Sequence, residues 1–312
     1  MKISDILTFA KIQLENSGVS NSKLDSLILL SHTLSFSKEQ VIFNPDFNLT
    51  FEQEQTFLEL IKRRCKREPV SHLIGRREFY GHNFIVDCNV LDPRPDSETL
   101  IELVLKNFPD KKQNIQFLEI GCGSGCLMIT LLKELENAKA TAIDISEKAL
   151  EIAQKNAELN DVKDRIQFLQ SDLFSVFKTP DILRCAQNDR KRSCYSEHSE
   201  EYQETSFIAK FDLIISNPPY IPSQDIEELE PEVKIFEPRI ALDGGNDGLD
   251  FYRKIAEEAK NFLEEKGKVI LEIGINQEED IIKIFTSQNF KFIDAKKDLA
   301  GVIRVLSFSA AN

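Results

Sequence analysis

From Ile115 onward the chain repeats one pattern: a short apolar run, a turn, a helical stripe, then the next apolar run. The runs are "IQFLEI", "KATAID", "RIQFLQ", "FDLIIS" and "KVILEIG"; the stripes are "GSGCLMITLLKEL", "SEKALEIAQKNAELN", "DFYRKIAEEAKNFLEE" and residues 277–287. Strands that alternate with helices are joined by crossovers rather than hairpins, so they lie parallel, and a parallel sheet must be covered on both faces. Two final runs, "FKFIDA" and "GVIRVLSFSA", follow one another across a short polar turn, which predicts a hairpin and an antiparallel edge strand. The pattern therefore specifies an α/β, Rossmann-like sheet, mostly parallel.

What precedes it is different. Apolar residues at positions 3, 6, 7, 10 and 14 form a helical stripe that stops near Gly18, and a second stripe runs through "KLDSLILLSHTLSF". "SKEQ" at Ser37–Gln40 and "TFEQ" at Thr50–Gln53 have capping-box spacing, so further helices start near Lys38 and Phe51. Residues 1–75 read as a small all-α domain, 76–95 as a hairpin linker around Gly81, and 96–312 as the α/β domain. The run "KRRCKR", Lys62–Arg67, is either a contact patch for an anionic partner or a set of cations favoured at a helix C-terminus. Residues 178–206 carry neither period and much charge; they read as a disordered insert, and Cys185, Cys194 and His198 within it receive no role.

The net charge of -13 opposes non-specific nucleic-acid binding. No run of eighteen apolar residues exists, and the opening segment is interrupted by Asp5, Lys11 and Glu15, so neither a membrane span nor a signal peptide is expected. The six cysteines, Cys65, Cys88, Cys122, Cys126, Cys185 and Cys194, form neither CxxC pairs nor a disulfide framework. A reduced cytoplasmic protein without a structural metal is expected.

"FLEIGCGSG", Phe117–Gly125, is strand, glycine turn and helix start, placed where α/β sheets bind ligands. Gly121, Gly123 and Gly125 permit backbone conformations and a close approach that a Cβ would block. Asp144 closes the next strand, 23 residues after Gly121, where it can accept from both hydroxyls of a ribose. An adenosine-containing cofactor follows, though GxGxG alone does not separate NAD from S-adenosylmethionine. Glu119 before the loop favours the latter, since a carboxylate sits poorly beside a pyrophosphate and well beside an ammonium or sulfonium. Cys122 and Cys126 read as small packing residues. At the tip of the third strand, Asp172 can accept from an adenine amine while the amide of Leu173 donates to the ring, unless Asp172 only caps a helix.

The fourth strand ends in "SNPPY". Pro218 and Pro219 lack an N–H, so after Asn217 the backbone offers carbonyl oxygens with fixed φ, and the Asn217 side chain adds an acceptor. That combination suits a planar amino group, whose two hydrogens must be held before its delocalised nitrogen can attack. Tyr220 would wall the plane and exclude water.

These motifs, with "AIDIS", "SDLF", "DPRPDSE", "EPRIALDGGNDGL" and "LEIG", resemble the bacterial PrmC (HemK) methyltransferases over most of the chain outside 178–206. The resemblance implies an S-adenosylmethionine-dependent methyltransferase that modifies the glutamine amide in the GGQ motif of class I peptide chain release factors. It implies that Asn217, Pro218, Pro219 and Tyr220 bind that amide. Gly121, Cys122, Gly123, Ser124, Gly125, Asp144, Leu173 and Asn217 would contact the cofactor. The family position at Leu173 is often aromatic. Arg94 and Pro95 would line the substrate entrance, although a simple turn explains them too. The all-α domain would grip the release factor, the enzyme acting as a monomer without nucleic acid, metal or membrane. The rival within enzymes is a nucleic-acid exocyclic-amine methyltransferase, since adenine and guanine amines also fit such a pocket; a non-catalytic adaptor and an NAD-linked oxidoreductase are the readings from other classes.

Overall fold

The computed structural model describes residues 1–178 and 210–311, in two compact units. The expected insert at 178–206 falls, from residue 179, outside the described residues, and with it Cys185, Cys194 and His198.

The first unit comprises residues 1–77, 85–92 and 227–239. Its helices are α1 (Ile3–Asn16), α2 (Ser22–Leu34), α3 (Lys38–Phe43), α4 (Phe51–Arg64), α5 (Val70–Ile74) and, from far along the chain, α9 (Pro231–Phe236). Both capping boxes form: Ser37 with Gln40, and Thr50 with Gln53, each side chain bonding the other's backbone N–H. The core is Ile3, Ile6, Ala10 and Leu14 of α1 against Leu29, Leu30, Phe57 and Ile61. Much of "KRRCKR" is consumed inside this unit. Arg64, 7% exposed, pairs with Asp25 at 2.8 Å and Glu232 at 3.0 Å, and Arg67 pairs with Glu230 at 2.8 Å and Glu232 at 2.6 Å. Arg63 pairs with Glu68. These arginines thus tie residues 230–232, which the sequence reading gives to the α/β domain, into the helical unit.

Strands β1 (Arg76–Phe79) and β2 (His82–Ile85) form the expected hairpin, with Gly81 at φ +77° in its turn.

The second unit holds α6 (Glu98–Asn107), β3 (Gln116–Ile120), α7 (Cys126–Glu134), β4 (Lys139–Asp144), α8 (Glu147–Leu159), β5 (Ile166–Gln170), β6 (Phe211–Ser216), α10 (Asp250–Glu258), β7 (Leu263–Glu272), α11 (Glu278–Ser287), β8 (Phe290–Lys297) and β9 (Ile303–Ala310). The sheet order is β5-β4-β3-β6-β7-β9-β8. The expected hairpin β8–β9 occupies one edge, and β9, antiparallel to both β7 and β8, runs against the other strands. "FLEE" at 262–265 departs from its helical reading. The helix gives way after Glu258, and Leu263 instead pairs with Phe211 at the start of a ten-residue strand. A Cβ on Gly267 would lie 2.9 Å from the Phe211 carbonyl, so close pairing of the backbones is what this glycine permits. The β3–β6 and β6–β7 registers bring Ile120, Ser216 and Leu271 to one level. The next residues, Gly121, Asn217 and Glu272, therefore stand side by side at the rim, Gly121 and Asn217 just past their strands and Glu272 closing its own.

Candidate active site

The glycine loop follows from three left-handed glycines: Gly121 at φ +68°, Gly123 at +52° and Gly125 at +76°. The Gly121 and Cys122 amides donate to the Ile143 carbonyl at 2.8 and 3.1 Å, which ties the loop to β4. A Cβ built on Gly121 or Gly123 would meet nothing within 4 Å, so open space borders the backbone there. Gly125 is different: a Cβ would press on Ala153 and Ile129 at 3.2 Å, so this glycine serves helix packing. Ser124 is buried and its carbonyl accepts from Asn156 Nδ2 at 2.9 Å. Cys122 is buried and Cys126 half-buried, both free thiols; burial pushes both up, Cys126 to about 12, so neither is a thiolate.

Asp144 closes β4 beside this space. Its Oδ2 accepts from the Gly123 amide at 2.9 Å and its Oδ1 from the Ser146 amide at 2.9 Å. Burial raises its pKa against the pull of these amides. A carboxylate has about four lone-pair sites, so these amide bonds leave it acceptor capacity toward the open space. Asp172 is exposed and, among the described residues, its carboxylate has no hydrogen-bond partner. The turn after β5 is organised instead by Ser171, whose Oγ donates to the Leu173 carbonyl at 2.6 Å and accepts from the Val176 amide at 3.1 Å. Leu173 is left-handed, φ +48°, and half-buried against the core.

Glu119, placed beside a cationic ligand by sequence, lies 2% exposed under the loop. Its Oε2 accepts from the Met128 amide at 3.2 Å, third residue of α7. Gly125 at the helix N-cap has no side chain, and Glu119 supplies the missing capping acceptor. Burial pushes its pKa well up, opposed by that amide.

The tip of β6 adjoins the loop directly: Ser216 Oγ, buried, donates to the Ile120 carbonyl at 2.7 Å. Pro218 is buried, and Asn217, Pro219 and Tyr220 are partly exposed. Burial lifts the Tyr220 hydroxyl to about 12, and Arg94, whose positive charge opposes this rise, faces it; Pro95 is exposed at the start of a short turn ending at Ser97. Residues 240–249 back the tip. The Ile221 amide donates to the Leu242 carbonyl at 3.0 Å, and the Gly244 amide to the Ile221 carbonyl at 2.9 Å. Gln277 Nε2 donates to the Tyr220 carbonyl at 3.0 Å while its Oε1 accepts from the Gly274 amide at 2.9 Å. A Cβ on Gly248 would lie 2.3 Å from the Tyr220 carbonyl oxygen, so only glycine admits this packing.

Two residues absent from the sequence reading belong here. Asn217 Nδ2 donates to Ser97 Oγ at 3.2 Å, and both residues face the carboxylate of Glu272, which is 2% exposed, and favour its ionised form. Both lie in quoted motifs, "DPRPDSE" and "LEIG". The available signal is an acid closing the apolar run Val269–Leu271.

Open space along glycine backbone, a carboxylate at its edge and an uncharged acceptor tip on the adjacent strand fit a methyltransferase of the class that uses an S-adenosylmethionine-type cofactor. Residues 111–300 match the methyltransferase domain family and residues 5–75 the PrmC N-terminal domain family. A release factor glutamine methyltransferase of Agrobacterium fabrum is 34% identical over 98% of this chain and 96% of its own length. A bifunctional methyltransferase of Rickettsia conorii is 36% identical over 99% of this chain, which spans 58% of that longer protein. The hMettl16 catalytic domain, solved with the MAT2A 3'UTR hairpin 6, shares the fold at TM-score 0.53 and 13% identity, covering 86% of this chain and 84% of its own. The chain belongs to the release factor glutamine methyltransferase family. Among the described residues, no helix is long and apolar enough to cross a membrane.

Proposed function

We propose that this chain transfers a methyl group from S-adenosylmethionine to the side-chain amide nitrogen of the GGQ glutamine of class I release factors. The observation that carries this reading is the uncharged acceptor tip Asn217–Tyr220, hydrogen-bonded through Ser216 to the end of the strand that opens into the glycine loop.

When bound, S-adenosylmethionine supplies a methyl carbon activated by its sulfonium and departs as the thioether. Gly121–Gly125 would hold it along the open backbone, Asp144 by its ribose hydroxyls, Asp172 and the Leu173 main chain by its adenine. Asn217 Oδ1 and the Pro218 carbonyl accept the two hydrogens of the glutamine NH2 and aim its nitrogen. Tyr220, held protonated by burial, walls the amide plane and excludes water. No strong base is needed: the nitrogen becomes acidic once alkylated, and its proton passes to solvent. Fixing the reacting atoms in line within about 3 Å is the main source of acceleration. The N-terminal all-α segment, residues 1–75, serves recognition of the release factor body, and the enzyme acts as a cytoplasmic monomer.

The test is incubation with labelled S-adenosylmethionine and a purified class I release factor, followed by intact mass and fragmentation. One added methyl on the GGQ glutamine is expected. Label entering only nucleic acid added in a parallel reaction overturns the reading.

A further inference from the structure

We propose that Glu272, directly and through Ser97, orients the Asn217 side chain so that its NH2 points toward Glu272 and its Oδ1 toward the substrate amide. The inference rests on the substrate reading above only for which amide is held. An asparagine amide turned by half a revolution has nearly the same shape, with donor and acceptor exchanged. Turned the wrong way, Asn217 would present hydrogens to the hydrogens of an incoming NH2. The neighbours must therefore decide the matter, and a carboxylate decides it, because an ionised carboxylate only accepts. The Asn217 NH2 has Ser97 Oγ at 3.2 Å, and the Ser97 hydroxyl is free to donate onward to Glu272. The chain Asn217–Ser97–Glu272 thus has one direction.

The cost of this arrangement is visible. Glu272 is 2% exposed, and its Oε2 is buried without a hydrogen-bond partner. A buried, unsatisfied polar atom calls for an explanation, and the packing offers none. The groups facing it are Asp96 and Ser97 ahead of α6, Cys126 of α7, Asn217 and Tyr220 beyond β6, Tyr252 of α10 and Arg304 of β9; Arg304 lies 3.0 Å from Asp96 and from Asp298. The positive charge of Arg304 favours the ionised acid, Asp96 opposes it, and burial dominates, lifting Glu272 to about 7. Below that value a protonated Glu272 can donate as well as accept, and the orientation is no longer enforced. Glu272 is a positioning residue: it touches neither substrate nor cofactor.

Two measurements on the full chain test it. In protein labelled with 15N at asparagine, the Asn217 side-chain amide signals, identified by their loss in Asn217→Ala, should shift with pH around a midpoint near 7 and stay fixed in Glu272→Gln. This readout needs no substrate. In methyl transfer to a release factor, Glu272→Gln should lower kcat roughly tenfold to a hundredfold, flatten its pH profile, and leave the Kd for S-adenosylmethionine within about twofold. Glu272→Asp should recover part of the loss, and Ser97→Ala should lower kcat too, so the idea stays testable should Glu272→Gln not fold. Asn217 signals indifferent to pH, or wild-type kcat in Glu272→Gln or in both Glu272→Asp and Ser97→Ala, overturn the proposal. Transfer to nucleic acid alone would overturn the substrate reading and leave the amide signals to judge Glu272.

Discussion

The tetrapeptide Leu-Glu-Ile-Gly occurs twice at strand ends, at Leu118–Gly121 and at Leu271–Gly274, and does two different jobs. In both, the leucine and isoleucine enter the same core layer, and the glutamate turns to the opposite face, 2% exposed. The register separates them. Glu119 lies level with Ile215 and Ile270, whereas Glu272 stands two residues higher, beside Asn217 and Gly121. Below the rim, Glu119 meets the first turn of α7 and caps it. At the rim, Glu272 meets Ser97 and Asn217 and keeps an oxygen unpaired. What four residues do is fixed by where the sheet lifts them.

The glycines nearby sharpen the contrast most. Gly121 and Gly248 both have positive φ, but a Cβ on Gly121 enters open space while one on Gly248 overlaps the Tyr220 carbonyl. Gly248→Ala should cost on the order of 2–5 kcal/mol, overpacking of about 1–3 kcal/mol added to a left-handed backbone term of about 1–2 kcal/mol, and lower the thermal midpoint accordingly. Gly121→Ala should cost only the left-handed backbone term, about 1 kcal/mol, yet weaken cofactor binding by filling the space beside the loop. Equal losses of stability in the two would show that the tip of β6 is not locked by residues 240–249.

Next in size is the titration of Glu272. Its folded pKa, about 7, lies above the ordinary glutamate value, so its contribution to stability is fully present below that ordinary value and is lost as pH rises to 7. Removing the acid should therefore help at high pH. Glu272→Gln should stabilise the protein by up to ~3 kcal/mol at pH 8, shrinking toward nothing near pH 5, in denaturant titrations at the two pH values. A gain independent of pH would mean that Glu272 does not titrate in this window.

Legibility in the sequence followed the range of the interaction. The capping boxes at Ser37 and Thr50 are local, and the helices start as read. The glycine loop and the β6 tip are local too, their chemistry carried by glycine φ and by prolines without an N–H. Ser97 and Asn217 stand 120 residues apart, and Glu272 joins them only through the pairing of β6 with β7, which no period encodes. The arginines of "KRRCKR" likewise find Glu230 and Glu232 more than 160 residues away. Strand "LEE" after Phe262 was hidden because its composition is helical, while pairing with Phe211 decides its state.

The capping role of Glu119 predicts a smaller effect, read as a difference between variants. Glu119→Gln keeps an acceptor for the Met128 amide, and Glu119→Leu does not; neither titrates. The leucine variant should be less stable than the glutamine variant by about 1–2 kcal/mol, the worth of a cap, in denaturant unfolding at any neutral pH. Equal stability of the two would remove the cap from the account and with it half of the contrast between the strand ends.

The smallest effect concerns the backbone of Glu272 rather than its side chain. Tyr252, fully buried on α10, donates its hydroxyl to the Glu272 carbonyl at 2.8 Å. Burial pushes that hydroxyl well above its ordinary pKa, so it stays a donor throughout the accessible range. Tyr252→Phe keeps the ring and the packing, deletes one hydrogen bond, and should cost about 1 kcal/mol. Because the Glu272 carboxylate and its partners are untouched, the pH dependence of methyl transfer should keep its shape and midpoint. A displaced midpoint would show that the main-chain anchor, and not only the height set by the register, holds Glu272 against Asn217.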